Sequence, residues 1–265
     1  MLCGDTMAVE NLIRSEYLPD YDFRTKRLFV ESDLASASSV TLSREASHYL
    51  ITVLRLGQGD VILLFNGRDG EWLGQIDKVD KKSAVLNLVK QTRPQPERTD
   101  IDYLFAPIKT ARLDYLVQKA VEMGASRLVP VITKHTQYSR LNEERMRANI
   151  IEAAEQCGVL HVPDLAPEIK LDALLAQWDS ARTLIFCDER AEGEDPIAAL
   201  QAAKRGPIGV LIGPEGGFSS EERTELLKLP SVTRLSLGPR ILRADTAGVA
   251  AFALVQAVLG DWRMK

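Results

Sequence analysis

Two short segments near the end of the chain combine glycine, proline and charged residues in a way that is typical of a binding site. Ile208–Ile212 is an apolar run that stops at Gly213–Gly217, and Thr233–Leu237 is a second run that leads into Gly238-Pro239-Arg240. A buried strand often ends in such a glycine loop. Two strand, loop and helix units in succession predict a parallel sheet whose carboxyl ends bind a small molecule.

The residue types in the first loop restrict the ligand. No GxGxxG motif is present and no GxxxxGK[ST] follows a strand, so the ordinary dinucleotide and P-loop interpretations lack their main support. Pro214 removes an amide donor, and the Glu215 carboxylate repels phosphate. A neutral or cationic ligand therefore fits this loop better than a nucleotide triphosphate. The alternative that Gly213–Gly217 is only a turn stays open.

The composition predicts an ordinary soluble globular protein. The 265 residues are 45% hydrophobic and 26% charged, which suits one large domain or two smaller ones. No apolar run reaches 18 residues and the first residues lack an apolar signal core, so we expect no membrane span. Three distant cysteines indicate a reducing cytoplasm, and three histidines without HExxH spacing make a metal site improbable.

The charge distribution permits RNA contact in the N-terminal part. The net charge is −4, but residues 21–95 hold eleven basic and nine acidic side chains. Lys109 and Arg112 begin a predicted helix, where cations are mildly unfavourable for the helix dipole, so a binding role there is attractive. The alternative for each is an exposed, solubilising charge. The candidate RNA contacts are Arg24, Lys26, Arg27, Arg55, Arg68, Lys109 and Arg112.

The order of predicted elements divides the chain in two. Residues 1–20 have no clear pattern and are expected to be weakly ordered. Five short strands and one helix over residues 21–93 predict a small β-barrel-like domain. The polar segment 91–98, which contains two prolines, is the best linker candidate. Alternating strands and helices over residues 98–265 predict an α/β domain with a mainly parallel sheet.

IGPEGGFSSEE at 212–222, followed by LSLGPRILRADTA at 235–247, resembles the paired motifs of the RsmE-type 16S ribosomal RNA uridine N3-methyltransferases, which belong to the trefoil-knotted SPOUT class. The similarity extends to KTARLDYLVQKAVEMGA from Lys109 and to EAAEQCG at 152–158. RLFVE, ASHYLITVLRLGQGD and LFNG match the PUA-like RNA-binding module of the family, so residues 24–260 are covered. Asp245 stands where the family has glutamate. Val159 and His48-Tyr49 also depart, which weakens a catalytic role at those positions.

The resemblance implies a PUA-like β-barrel domain followed by an α/β trefoil-knot domain. It also implies S-adenosylmethionine held in a bent form by three loops of the knot, and a homodimer in which two subunits complete each site through the C-terminal domain. The substrate would be 16S rRNA, at a uridine in the decoding region of the small subunit, in the cytoplasm. A SPOUT ribose 2′-O-methyltransferase and a non-catalytic RNA-binding assembly factor are the alternatives. The implied cofactor-binding residues are Cys187, Glu189, Ile212, Gly213, Pro214, Glu215, Gly216, Gly217, Ser236, Leu237, Gly238, Arg240, Ile241, Leu242 and Thr246.

The chemistry of that reaction indicates which side chains could act. Uridine N3 is a poor nucleophile while it carries its proton, so transfer needs proton removal and stabilisation of charge on O2 and O4. Arg240 and Arg243 could supply the stabilisation, and Asp245 is the nearest candidate base, although a carboxyl with a pKa of about 3.9 is a weak one. Several alternatives stay open: an N-cap role for Asp245, a subunit salt bridge for Arg243, and plain core positions for Leu237, Ile241 and Leu242. No role is predicted for His135 or His161, and His48 is expected to pack on a helix.

Overall fold

In a computed structural model of the protein, residues 25–80, 83–137, 140–191 and 195–262 are described. The predicted N-terminal extension, residues 1–20, and the candidate RNA contact Arg24 lie outside them. Among the described residues the chain divides into two compact units. The first runs to Phe65 and resumes at Asp69–Pro94, and the second comprises Asn66–Arg68 and the chain from Gln95 onwards.

The first unit is a five-stranded mixed sheet with one helical segment, as the sequence predicts. The strand order is β1-β3-β4-β5-β2, with β1 parallel to β3 and the other pairs antiparallel. The helix starts at Ser43, whose hydroxyl accepts from the Ala46 amide, and continues into a π-helical turn, Tyr49–Val53. The elements are β1 (Arg27–Phe29), β2 (Ser39–Thr41), α1 (Arg44–His48), β3 (Val61–Phe65), β4 (Glu71–Val79) and β5 (Ala84–Arg93).

A buried ion cluster in this sheet includes Arg27, which the sequence predicted as an RNA contact. Arg27 Nε donates to Glu71 Oε2 at 2.8 Å, and Arg93 Nη2 donates to the same oxygen at 2.6 Å. Burial raises the pKa of the Glu71 carboxyl, but hydrogen bonds from Arg93, Thr92 and Arg27 outweigh this effect and the pKa lies below its ordinary value. Because Arg27 is buried in this cluster, it holds the sheet together and is not available to contact RNA.

The second unit is an α/β domain built on a parallel sheet. Its strand order is β12-β10-β11-β6-β7-β8, all neighbours are parallel, and β9 pairs with β7. The elements are β6 (Ile101–Phe105), α2 (Thr110–Glu122), β7 (Arg127–Ile132), α3 (Glu143–Cys157), β8 (Asp164–Leu165), β9 (Ile169–Lys170), α4 (Leu171–Ala176), β10 (Thr183–Cys187), α5 (Pro196–Ala202), β11 (Ile208–Ile212), α6 (Ser220–Leu227), β12 (Val232–Leu235) and α7 (Ala244–Val258).

The central strands β6 and β11 are buried along their whole length, and Asp102 is their one charged residue. All five residues of β6 and all five of β11 are buried, because helices cover both faces of a parallel sheet. Gly209 in β11 leaves room for its neighbours, since a Cβ there would lie 2.6 Å from Trp178 Cη2. The predicted division into a small β domain and an α/β domain with a parallel sheet agrees with the two observed sheets.

Two helices of this unit differ in how their amino ends are capped. Ser219 caps α6 in a capping box, in which its hydroxyl accepts from the Glu222 amide and the Glu222 carboxylate accepts from the Ser219 amide. The last helix begins at Ala244, with Arg243 at the N-cap position and no side-chain cap. Asp245 lies within the first turn, so its predicted N-cap role is wrong.

Candidate functional site

Three loops meet at one edge of the parallel sheet. They follow β10, β11 and β12, which are adjacent in the order β12-β10-β11. Because neighbouring parallel strands present their carboxyl ends at the same edge, the predicted cofactor residues after Cys187, Ile212 and Leu235 come together there. Strands that are about 25 residues apart in the sequence therefore lie next to one another in the sheet.

The first loop is anchored by Asp188, whose side chain is 1% exposed. Arg223 Nη2 lies 2.9 Å from Asp188 Oδ2, Arg234 Nε lies 3.1 Å from it, and the Arg190 amide donates to Oδ1. Burial raises the pKa of Asp188, but these hydrogen bonds outweigh it and the pKa is lowered. The carboxylate therefore ties the loop to α6 and β12. Asp188 lies between Cys187 and Glu189, the two residues of this loop that the resemblance implies as cofactor contacts.

Cys187, at the end of β10, is a thiol and not a thiolate. Burial raises its pKa to about 12, which leaves the thiol protonated at neutral pH. Cys187 is free of disulfide bonding, as is Cys157. A protonated thiol offers its shape and a weak S–H donor, not nucleophilic chemistry.

The second loop is a tight turn that requires glycine. The Gly217 amide donates to the Pro214 carbonyl at 2.9 Å, and Gly217 has φ +64°. A Cβ on Gly217 would lie 2.6 Å from Glu189 Oε1, and one on Gly213 would lie 2.6 Å from the Phe218 ring. The Glu189 carboxylate thus borders this loop from the side of the first loop.

His135, to which the sequence analysis assigned no role, contacts the opposite side of the second loop. Its Nδ1 lies 3.1 Å from both the Gly216 and the Gly217 carbonyl oxygens. Because carbonyl oxygens only accept, Nδ1 must carry the hydrogen. A Cβ on Gly216 would lie 3.1 Å from His135 Cβ. The only sequence signal for this residue is its place just after β7.

The third loop presents both cations and an apolar side chain to solvent. Arg240 and Arg243 are exposed, Gly238 has φ +90°, and Ser236, Leu237 and Leu242 are half-buried. Ile241 is 102% exposed. The alternative that Ile241 is a core residue is therefore wrong for the described chain, because its side chain packs against nothing in it.

The start of α7 lies beside a buried tyrosine. Asp245 Oδ1 accepts from the Thr246 amide at 2.8 Å, and the Thr246 side chain is exposed. Tyr103, in β6, has a buried hydroxyl with no hydrogen-bond partner among the described residues. Burial, together with nearby Cys187 and Asp245, raises the pKa of Tyr103 far above its ordinary value. The structure therefore gathers residues of the first loop and α7 around a neutral phenol that the sequence analysis did not single out.

A cavity of about 560 Å³ opens on the His135 side of the second loop. Lys109 and Arg112, two of the predicted RNA contacts, lie here, and Arg112 forms an ion pair with Glu215. The lining residues come from the segments after β6, β7 and β11: Pro107, Ile108, Lys109, Lys134, His135, Gln137, Pro214, Glu215 and Gly216.

The remaining candidate RNA contacts are Lys26 and Arg55 of the first unit and Arg68 of the second. Lys26, Arg55 and Arg68 are exposed, and Arg55 has a left-handed backbone with φ +57°. Within the described residues, no cluster of three or more His, Cys, Asp or Glu side chains could hold a metal ion. None of the helices described has the length and apolar character needed to cross a bilayer.

Comparison with known proteins gives one family for both parts of the chain. Residues 95–256 match the RNA methyltransferase domain, and residues 42–89 match the RNA methyltransferase PUA domain. The Ribosomal RNA small subunit methyltransferase E of Rickettsia conorii is 32% identical over 232 residues, which cover 87% of this chain and 94% of that protein. The same-named protein of Bacillus subtilis is 25% identical over 87% of this chain and 95% of its own length.

Two solved structures share the fold over nearly the whole described chain. Ribosomal RNA small subunit methyltransferase E of Neisseria gonorrhoeae, bound to S-adenosyl methionine, is similar with a TM-score of 0.80 and 25% identity, over 90% of this chain and all of that one. A methyltransferase of Legionella pneumophila in complex with SAM has a TM-score of 0.75 and 29% identity, over 88% and 98% of the two chains. The chain therefore belongs to the ribosomal RNA small subunit methyltransferase E family.

Proposed function

We propose that the protein transfers a methyl group from S-adenosylmethionine to N3 of a specific uridine in 16S rRNA, in the decoding region of the small ribosomal subunit. The observation that carries the proposal is the meeting of three loops at the carboxyl edge of β10, β11 and β12. A methyl donor with a cationic sulfonium suits this edge, because the Glu189 carboxylate borders the second loop there.

The loop residues fit a ligand that approaches the backbone closely. Side chains are absent at Gly213, Gly216 and Gly217, where a Cβ would meet Phe218, His135 or Glu189. We infer that Cys187, Glu189, Ile212–Gly217 and the third loop, from Ser236 to Leu242, hold the cofactor together with Thr246. When bound, the cofactor supplies an electrophilic methyl group.

For the transfer itself we assign roles to the charged groups of the third loop. Arg240 and Arg243 are exposed beside the loop, so their guanidinium groups can turn toward charge that develops on uracil O2 and O4. Asp245, on the first turn of α7, is the candidate acceptor of the N3 proton. We expect Arg243→Ala to lower kcat more than cofactor affinity, and a parallel loss of both would assign Arg243 to the structure of the site.

We further propose that two copies of the chain assemble through the C-terminal domain. Ile241 is fully exposed in the third loop, and α7 carries half-buried apolar side chains, among them Val249 and Leu254, besides its buried face. A second copy would cover these side chains. Light scattering on the purified protein should give twice the chain mass, and a monomer at micromolar concentration would contradict this. The cytoplasm, where ribosomal RNA is found, is the expected location.

The decisive experiment is the modification of rRNA in a deletion strain. Small-subunit rRNA from wild-type and deletion strains would be digested to nucleosides and analysed by mass spectrometry. Loss of one N3-methyluridine, restored by the intact gene and not by an Arg243→Ala gene, is the expected result. Loss of a ribose methyl would favour a 2′-O-methyltransferase. No change in rRNA, together with no calorimetric binding of S-adenosylmethionine, would favour a non-catalytic assembly factor.

A further inference from the structure

The cavity beside His135 lies at the topological switch point of the parallel sheet. From β6 the chain continues to β7 on one side, and from β11 it continues toward β12 on the other, while β6 and β11 are neighbours. Ligands of open α/β sheets bind in the crevice outside the carboxyl ends of the strands at such a point. The volume of about 560 Å³ falls within the range of roughly 300–1,000 Å³ that is usual for small-molecule sites.

Side-chain contacts hold the wall of this cavity in place. The Lys134 amide donates to Glu222 Oε1 at 2.7 Å, and His135 Nδ1 donates to the Gly216 and Gly217 carbonyls. Thr133 and Thr136 close the turn between them through their hydroxyls at 2.9 Å. The segment after β7 is therefore fastened to both the second loop and the start of α6, so the cavity is built and is not a chance gap between loops.

The charges on the two sides of the second loop differ. Glu189 borders the side of the first loop, whereas Lys109 and Lys134 line the cavity. Glu215 and Glu221 also lie nearby, but Glu215 pairs with Arg112, and Glu221 lies 3.3 Å from Lys134 Nζ. Among the described residues Lys109 has no ion-pair partner, and the nearby Glu222 carboxylate accepts from the Lys134 and Ser219 amides, so Lys109 is the cation available to an anion. A sulfonium is disfavoured there and a phosphate is favoured.

We propose that this cavity receives the acceptor nucleotide of the RNA, with Lys109 on its phosphate and His135 as a positioning residue for the second loop. The base enters between the segments after β6 and β7, where Pro107, Ile108 and Pro214 provide an apolar floor. The cavity adjoins the second loop at Pro214, Glu215 and Gly216, so the loop that holds the methyl donor also borders the acceptor site. This inference rests on the proposed function, which it deepens by naming the acceptor site.

The test compares Lys109→Ala and His135→Ala with a matched control, Lys204→Ala. Lys204 is an exposed lysine beside the amino end of β10, where its carbonyl accepts from the Thr183 hydroxyl, at the opposite edge of the same sheet. Methyl transfer to small ribosomal subunits from the deletion strain would give kcat and KM, and calorimetry would give S-adenosylmethionine affinity. We expect Lys109→Ala to raise KM about tenfold, since a charge-assisted contact is lost, with cofactor affinity within twofold of wild type. Lys204→Ala should leave all three values unchanged.

His135 is tested by its conservative replacement. His135→Ala should lower kcat, because the carbonyls of Gly216 and Gly217 lose their donor, and His135→Asn, whose side-chain amide can donate to the same carbonyls, should recover most of it. Equal kcat for the alanine and asparagine variants would overturn the positioning role. A loss of cofactor affinity in Lys109→Ala that matches the rise in KM would assign the cavity to the cofactor and overturn the proposal.

A second measurement separates this inference from the proposed function. If wild-type protein binds S-adenosylmethionine but transfers no methyl group to the subunits, the proposed function fails. Filter binding of radiolabelled small-subunit rRNA then still tests the cavity. Weaker RNA binding by Lys109→Ala than by Lys204→Ala supports it, and equal affinities overturn it.

Discussion

Replacing Asp188 with alanine tests whether its ion cluster holds the three loops together. The carboxylate is 1% exposed, while its partners Arg223 and Arg234 have side chains that are 25% and 28% exposed. Removing one partner of a buried pair costs about 3–5 kcal/mol. Because both guanidinium groups keep some access to water, we expect a loss at the lower end, about 3 kcal/mol.

Urea unfolding measures this loss. With a slope of roughly 1–3 kcal/mol per molar urea, a loss of about 3 kcal/mol lowers the midpoint by about 1–3 M. The control is Glu225→Ala, which breaks the exposed pair with Lys228 and should cost at most about 1 kcal/mol. If Asp188→Ala shifts the midpoint no more than Glu225→Ala does, the cluster does not anchor the loops.

The pH dependence of a second variant, Asp188→Asn, checks the sign of this contribution. The pKa of Asp188 is lowered in the folded protein from a reference of 3.8, so the carboxylate contributes stability that is present above that value. The contribution is lost as the pH falls through the folded-state pKa. The gap in unfolding free energy between wild type and Asp188→Asn should therefore be constant from pH 7 to 5 and shrink below about pH 4. A gap that widens on acidification would contradict the assignment.

Three further substitutions give separate outcomes. Gly217→Val should weaken S-adenosylmethionine binding at least tenfold by calorimetry while the fold stays largely intact, because an L-residue at φ +64° costs about 1–2 kcal/mol and its Cβ would meet Glu189. Unchanged affinity would show that the second loop is not part of the cofactor site. Gly57→Ala is the control, because there is open space around Gly57. Tyr103→Phe should raise the free energy of unfolding by about 1 kcal/mol, since it deletes a buried hydroxyl without a partner in the described chain. A lower free energy of unfolding, measured in urea, would show that this hydroxyl has a partner. Gly209→Ala should destabilise by about 1–3 kcal/mol through overpacking against Trp178 and Leu104, and an unchanged urea midpoint would show that these side chains give way.

Local residue patterns account for most of the fold. Apolar runs of the length of a strand, ended by glycine loops, located β11 and the region of β12. These features could be predicted because each depends on neighbours within a few residues. The start of α7 has no such signal, because Arg243 takes the N-cap position without any side-chain cap that a pattern could reveal.

Contacts between distant segments could not be predicted in the same way. Arg27 was a candidate RNA contact from its charge, but pairing across the sheet buries it against Glu71, 44 residues away. His135 carries no local signal, yet it reaches glycine carbonyls 81 and 82 residues further along. The charge and type of a residue define the interactions that its side chain can form. Which of these interactions it does form depends on the residues that the fold places beside it.

By itself, the sequence determined the two-part architecture, the glycine loops and the family. Strand periodicity, turn-forming residues and a specific pair of motifs can all be recognised from residues that are close together in the sequence. The tertiary structure decided that the loops after β10, β11 and β12 share one edge, that Asp188 anchors them, and that a cavity with Lys109 and His135 lies across the second loop. The reason is the strand order of the sheet, in which β6 lies beside β11 and β10 lies between β11 and β12. That order brings together segments that are about 25 to 110 residues apart along the chain.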